Sequence, residues 1–102
     1  MNEVEKMLKL WIILTENSRP LKMSSLELQL NEEVKKHNEA EGSQEKAIQD
    51  FNIFSYLNTM STKGIPVYEE TIRNTTYYGA AWYMEDEEVV KRLKDKSYRC
   101  IM

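Results

Sequence analysis

The residues with the capacity for chemistry in this chain are few and scattered. His37 is the only histidine, so neither a Ser/His/Asp relay nor a zinc site has the convergent partners it needs. Beside Lys35 and Lys36, near a helix end, it reads as a solvated residue at a favourable dipole position. Glu85-Asp86-Glu87-Glu88 has the composition of a hard-cation site, but consecutive helical residues point apart, whereas such sites need oxygens converging from a turn or several segments. The run reads as an acidic helix start. Glu69-Glu70 lies on a different element, and nothing in its spacing makes a catalytic pair with Glu85. Gly42, Gly64 and Gly79 are isolated, so there is no glycine-rich phosphate loop. These residues predict no catalytic site, no metal and no cofactor.

Binding chemistry is better represented. Tyr77, Tyr78, Trp82 and Tyr83, with Tyr68 nearby, concentrate rings in one strand pair. Tyr78 and Trp82 fall on a face expected to pack into the core. The other face alternates Tyr77, Gly79, Ala81 and Tyr83, two rings framing two small residues, the pattern of a shallow apolar slot for a protein partner. Lys91, Arg92, Lys94, Lys96 and Arg99 form a basic cluster, with Lys35-Lys36-His37 as a smaller counterpart. The net charge of −3 removes the general pull toward phosphate backbones and anionic membranes, so no tight duplex binding is expected.

The elements that must position these groups come next. Residues 3–17 read as a helix capped by Asn2, with Val4, Leu8, Trp11 and Leu14 as its apolar stripe. A second helix is expected from a Ser43 cap to about Met60, burying Ala47, Phe51, Phe54 and Leu57. Ile65–Ile72 and Thr75–Met84 read as a hairpin turning at Arg73-Asn74, followed by a helix from Asp86 to about Asp95. The expected core includes Trp11, Leu14, Phe51, Phe54 and Trp82. Ser24–His37 is ambiguous: Leu26, Leu28 and Leu30 alternate as in a strand, yet Leu26, Leu30 and Val34 sit at helical spacing behind a Ser24-x-x-Glu27 capping box.

An internal match bears on that segment. At a shift of 43, Val4, Leu8, Trp11 and Leu14 fall on Ala47, Phe51, Phe54 and Leu57, and at a shift of 55 Asn31–Lys36 falls on Asp86–Lys91. Read as a tandem duplication of a helix–β-hairpin–helix unit, the chain is one two-layer α+β domain, 1–102, made of unit 1–42 and unit 43–102. Leu26–Leu30 is then a strand, and a helix starts at Asn31. An all-α fold and a winged helix-turn-helix are the alternatives. The groove between the two units, around Trp11 and Tyr56, is a second candidate docking site.

One cysteine, Cys100, allows no disulfide within the chain, and the longest apolar run, Leu10–Leu14, is too short to cross a bilayer. Taken whole, through Trp11-Ile12-Ile13-Leu14, Arg19-Pro20-Leu21-Lys22 and the Tyr77–Met84 strand, the chain resembles the small proteins of Acidianus filamentous viruses. The resemblance implies a setting in the host cytoplasm or the virion, and it carries over no catalytic residue. Leu10–Leu30 is similar to the opening of a winged helix-turn-helix domain: an apolar helix, Ser-Arg-Pro-Leu, then a Ser-capped second helix. Where the recognition helix should follow stand an acidic stretch, Asn38–Gly42, and an aromatic helix with few basic residues. The function expected is therefore a non-enzymatic module binding a host or virion protein or peptide, with DNA binding as the alternative.

Overall fold

The structure, a computed structural model, describes residues 1–95; Lys96, Arg99 and Cys100 lie outside the described residues. The chain is α+β, in the order α1 (Glu3–Glu16), β1 (Leu21–Lys22), α2 (Met23–Glu41), α3 (Asp50–Thr62), β2 (Val67–Ile72), β3 (Thr75–Ala80) and α4 (Asp86–Lys94). The strands form one antiparallel sheet in the order β1-β3-β2. In this succession a short strand follows the first helix and a β-hairpin follows the third, with a fourth helix after the hairpin.

α1 begins as its sequence dictates, with the Asn2 side chain accepting the Glu5 N–H. Its buried residues are Met7, Leu10, Trp11, Ile13 and Leu14. Trp11 is 0% exposed, and its indole N–H donates to the Met84 carbonyl at 3.1 Å, tying α1 to the segment between β3 and α4. Arg73 and Asn74 both have positive φ (51° and 68°), so the hairpin turns as expected through a tight two-residue connection. α4 carries acids in its first turn and bases in its last, matching the helix dipole, and buries Val89 and Leu93.

Three expectations are overturned. Leu26–Leu30 is not a strand: α2 runs unbroken from Met23, burying Leu26, Leu30 and Val34 and leaving Leu28 exposed. Helical spacing puts three of the four apolar residues on one face, whereas a strand there would find no partner, since β1 already occupies that side of β3 at Tyr77 and Tyr78. The first half therefore has no hairpin, and helix–hairpin–helix describes only the second half. A second correction concerns α3, which starts at Asp50 behind a Gln49/Asn52 capping box rather than at Ser43. It buries Ile53, Tyr56, Leu57 and Met60, and it exposes Phe51 (65%) and Phe54 (49%). Both stripes are helical and share Leu57; the aliphatic one faces the core, rotated from the expected Ala47/Phe51/Phe54/Leu57 face. Trp82 is likewise exposed (64%), because β3 ends at Ala80 and the chain bends away.

Residues 42–49 link α2 to α3, a longer path than the roughly 3–4-residue turn of a simple helix-turn-helix. Gly42 makes the left-handed turn out of α2 (φ 66°). Two asparagine carboxamides on α2 then hold the link. The Asn31 side chain accepts the Ile48 N–H (2.6 Å) and donates to the Ile48 carbonyl (2.9 Å). Asn38 does the same for Glu45, at 3.1 and 3.2 Å, and also accepts from the Ser43 hydroxyl. Seven residues of helix rise about 10.5 Å and three extended residues span about 10 Å, so the two clamps are in step. The Glu45 carboxylate reaches the Met1 α-ammonium (2.6 Å), whose hydrogen bond holds its pKa below the usual carboxylate range; His37 Nε2 lies 3.3 Å from the same oxygen.

Three stability outcomes follow from this packing. Trp11→Phe should lower the unfolding free energy by about 1–3 kcal/mol, since the Met84 carbonyl loses its donor in a buried setting. Phe51→Ala should change it by no more than about 0.5 kcal/mol, as at an ordinary surface position. Urea unfolding of the two variants checks both, and a large loss at Phe51 would place that ring in the core. Asn31→Ala should cost about 1–3 kcal/mol by leaving the Ile48 backbone groups unpaired. Faster hydrogen exchange at the Ile48 amide in that variant reports the same contact directly.

Candidate functional site

The sequence-predicted docking residues do not come together. Gly79 is buried beneath Tyr68, whose ring atom Cε1 would lie 2.9 Å from a Cβ added there. Ala81 and Tyr83 fall past the end of β3, so they do not continue the face that carries Tyr77 and Gly79. Tyr83 is exposed, its hydroxyl 3.4 Å from Glu85, and that carboxylate pushes its pKa up. The groove expected around Trp11 and Tyr56 is filled, since both side chains are buried in the core. What remains open there is a hollow at the N-terminal ends of α1 and α3, lined in part by Glu3, Lys6, Glu45 and Phe51 and reaching the edge of Tyr56.

The more structured cleft lies between α3 and the hairpin. It encloses about 300 Å³, with Phe54, Leu57 and Asn58 on the helix side and Val67, Glu69 and Tyr78 on the sheet side. The wall forms because the register pairs Glu69 with Tyr78 and Val67 with Ala80, placing these four side chains on the helix-facing side of the sheet. Tyr78 is 5% exposed and meets Phe54 edge-to-face, ring centroids 6.1 Å apart. Burial raises the Tyr78 phenol pKa, with the Glu69 charge adding to it. Phe54 also borders a separate hollow running toward Lys22 and Thr76, so its ring stands between that hollow and the trough enclosed by α3 and the hairpin.

The electrostatics of this face are acidic. α3 holds Asp50 and no lysine or arginine, and the hairpin holds Glu69, Glu70 and Arg73: three carboxylates against one cation, a net charge of −2. The basic cluster lies elsewhere and is partly structural. Arg92 bonds Glu88 (2.9 Å) and donates to the Lys63 and Gly64 carbonyls at the end of α3, while Lys63 Nζ donates to the Leu93 and Asp95 carbonyls at the end of α4. Each helix C-terminus is thus met by a cation from the other. Among the described residues, no group of three or more His, Cys, Asp or Glu is placed to hold a metal ion, and no helix is long and apolar enough to cross a membrane.

Phe54, Leu57 and Glu69 were not expected at a site. The signal for the first two was present: a helix with two apolar stripes can bury only one of them. Comparison of the chain with protein-family models, curated proteins and solved structures returned no match.

Tyr56 offers a titration test of the packing beneath the site. Burial, and secondarily the Glu3 carboxylate, push its phenol from 10.0 to about 12. Since the folded value lies above the unfolded one, the stability contributed by the neutral phenol is complete below pH 10 and is lost as pH rises toward 12. Phenolate absorbance should show a component titrating at about pH 12 that disappears in Tyr56→Phe; a normal titration at this position would contradict its burial.

Proposed function

We propose that the chain is a non-enzymatic binding module that docks a polypeptide on the face formed by α3 and the β2–β3 hairpin. The observation that carries this is the exposed surface of α3. This helix stands where a winged helix-turn-helix reads DNA, yet it presents Phe51, Phe54, Ser55 and Asn58 and no cation. Two adjoining phenyl rings held in water beside an apolar trough are the raw material of a protein interface, whose core is depleted of charge and enriched in aromatic side chains. In the viral setting implied by the resemblance, the partner is a host or virion protein.

DNA binding is the second reading, favoured by the order of elements alone. The charge opposes it: affinity for a duplex comes first from neutralised phosphates, and α3 and the hairpin carry net −2. The expected outcome is no submicromolar shift of duplex DNA at physiological salt, and photo-crosslinking of benzoyl-phenylalanine at position 54, in lysate of the cells that make the protein, to polypeptide. The same probe at the exposed position Glu39 on α2 should give no such product. A tight DNA shift that collapses steeply with added salt would replace this reading with the second one.

A further inference from the structure

The sheet has one long open edge, and its geometry says what could close it. The Ala81 N–H donates to the Pro66 carbonyl at 2.7 Å. Alternation along an antiparallel ladder then turns the backbone groups of Tyr68, Glu70 and Ile72 toward β3 and those of Val67, Glu69 and Thr71 outward. The Val67 N–H is taken by the Ile65 carbonyl, but the N–H and C=O of Glu69 and Thr71 meet no partner among the described residues. α3 packs on this side of the sheet, so the unpaired edge runs beside the trough lined by Phe54, Leu57 and Tyr78.

We infer that the partner is an extended, basic peptide segment with apolar residues at alternate positions, which adds as a fourth strand to the free edge of β2. The inference rests on the protein-binding reading above and names its partner. Main-chain bonds to Glu69 and Thr71 would supply the pairing, and every second side chain of the added strand would enter the trough against Phe54 and Leu57. Charge selects the occupant. Glu69 and Glu70 form no ion pair among the described residues, and the trough between α3 and the hairpin is lined by no lysine or arginine, Lys22 bordering the second hollow instead. A second copy pairing antiparallel about this point would set these carboxylates against their own counterparts, and like charges directly opposite destabilise a ladder. A strand bearing lysine or arginine relieves the same charges. The plainer role for Glu69-Glu70 is to blunt an exposed edge against aggregation; that role leaves the edge unoccupied by any ligand, and the experiment separates the two.

Random dodecapeptides displayed on phage are panned on the whole chain, and the enriched sequences are synthesised. The expected winners are basic, with apolar residues at alternate positions, and on binding they protect the Glu69 and Thr71 amides from hydrogen exchange. Thr71→Pro removes one outward N–H, a change an edge strand tolerates, and Glu69→Lys/Glu70→Lys reverses the charge. Each should weaken the peptide by about tenfold or more, the loss of one good hydrogen bond or charge pair, with the circular dichroism of the fold kept. If Thr71→Pro fails to fold, the charge reversal and the amide protection in the native chain still decide. Failure to enrich basic peptides, or binding that leaves amides 69 and 71 unprotected, overturns the inference. So does a concentration-dependent dimer that Thr71→Pro converts to monomer. If the selected peptides are helical and perturb only Phe51 and Phe54, the edge inference falls while the protein-binding reading stands. If no peptide is selected and position 54 crosslinks to no polypeptide, both fall.

Discussion

The placement of α3 depends on two side-chain amides. A link such as 42–49 belongs to no sheet or helix, yet it is pressed against α2 with Ile48 buried, so its backbone groups need partners other than water. Asn31 and Asn38 provide them by imitating a strand, each carboxamide offering one donor and one acceptor to the N–H and C=O of a single residue. Asparagine is a poor choice inside a helix on propensity alone. Here its short, rigid amide fits because the residues it holds recur in step with the helix, two turns against three extended residues. The link ends at Gln49, the N-cap of α3, whose N–H is accepted by the Asn52 side chain, so the direction of α3 is inherited from the clamps.

That inheritance fixes which stripe of α3 meets the core. With the helix entered at Gln49, Ile53, Tyr56, Leu57 and Met60 face inward and Phe51 and Phe54 cannot follow. Each phenyl left in water forgoes burial worth about 1.5–3 kcal/mol, a sizeable sum beside the total stability of a small domain, about 5–15 kcal/mol. Polar residues at 51 and 54 would carry no such penalty. Single exposed apolar residues are ordinary, and Leu28 on α2 is one of them. Two rings three residues apart on one helix, one of them packed edge-on against a buried tyrosine, are less ordinary, and they motivate the proposed docking face.

What could be read from sequence divides along the same line. α1, the Arg73-Asn74 turn and α4 were legible because local chemistry determines them: a capping side chain, two residues tolerant of positive φ, and a charge order that suits the helix dipole. α2 was half legible, since Leu26, Leu28 and Leu30 satisfy both periods and only the absence of a free strand edge for them decides. The register of α3 was hidden, because each of its two stripes is a valid helical face and the choice is made by Asn31 and Asn38, distant in sequence and unremarkable in type. The aromatic strand misled for a related reason. The alternation of Tyr77, Gly79, Ala81 and Tyr83 is real, but β3 stops at Ala80, where the chain must bend so that the Met84 carbonyl can meet the Trp11 indole. Glu69 was visible as an acid, but its place in the trough wall depends on the pairing with Tyr78.

The order of elements and the charge distribution favour different proposed partners, and the use made of the cations bears on the choice between them. A domain that grips phosphate needs lysines and arginines free to approach it from the recognition helix and the wing. In this chain two cations close to those elements are engaged within the fold: Lys63, just past α3, closes the carbonyl end of α4, and Arg92 closes the carbonyl end of α3. Arg73, at the tip of the hairpin, stands alone against Glu69 and Glu70 on the same strand pair. Lys35 and Lys36 lie on the exposed side of α2, not on α3 or the hairpin. The face of α3 and the hairpin thus combines exposed apolar rings, an unpaired strand edge and two carboxylates that form no ion pair among the described residues. On the proposed reading, those features would attract an extended basic polypeptide by the same forces that repel a phosphate backbone.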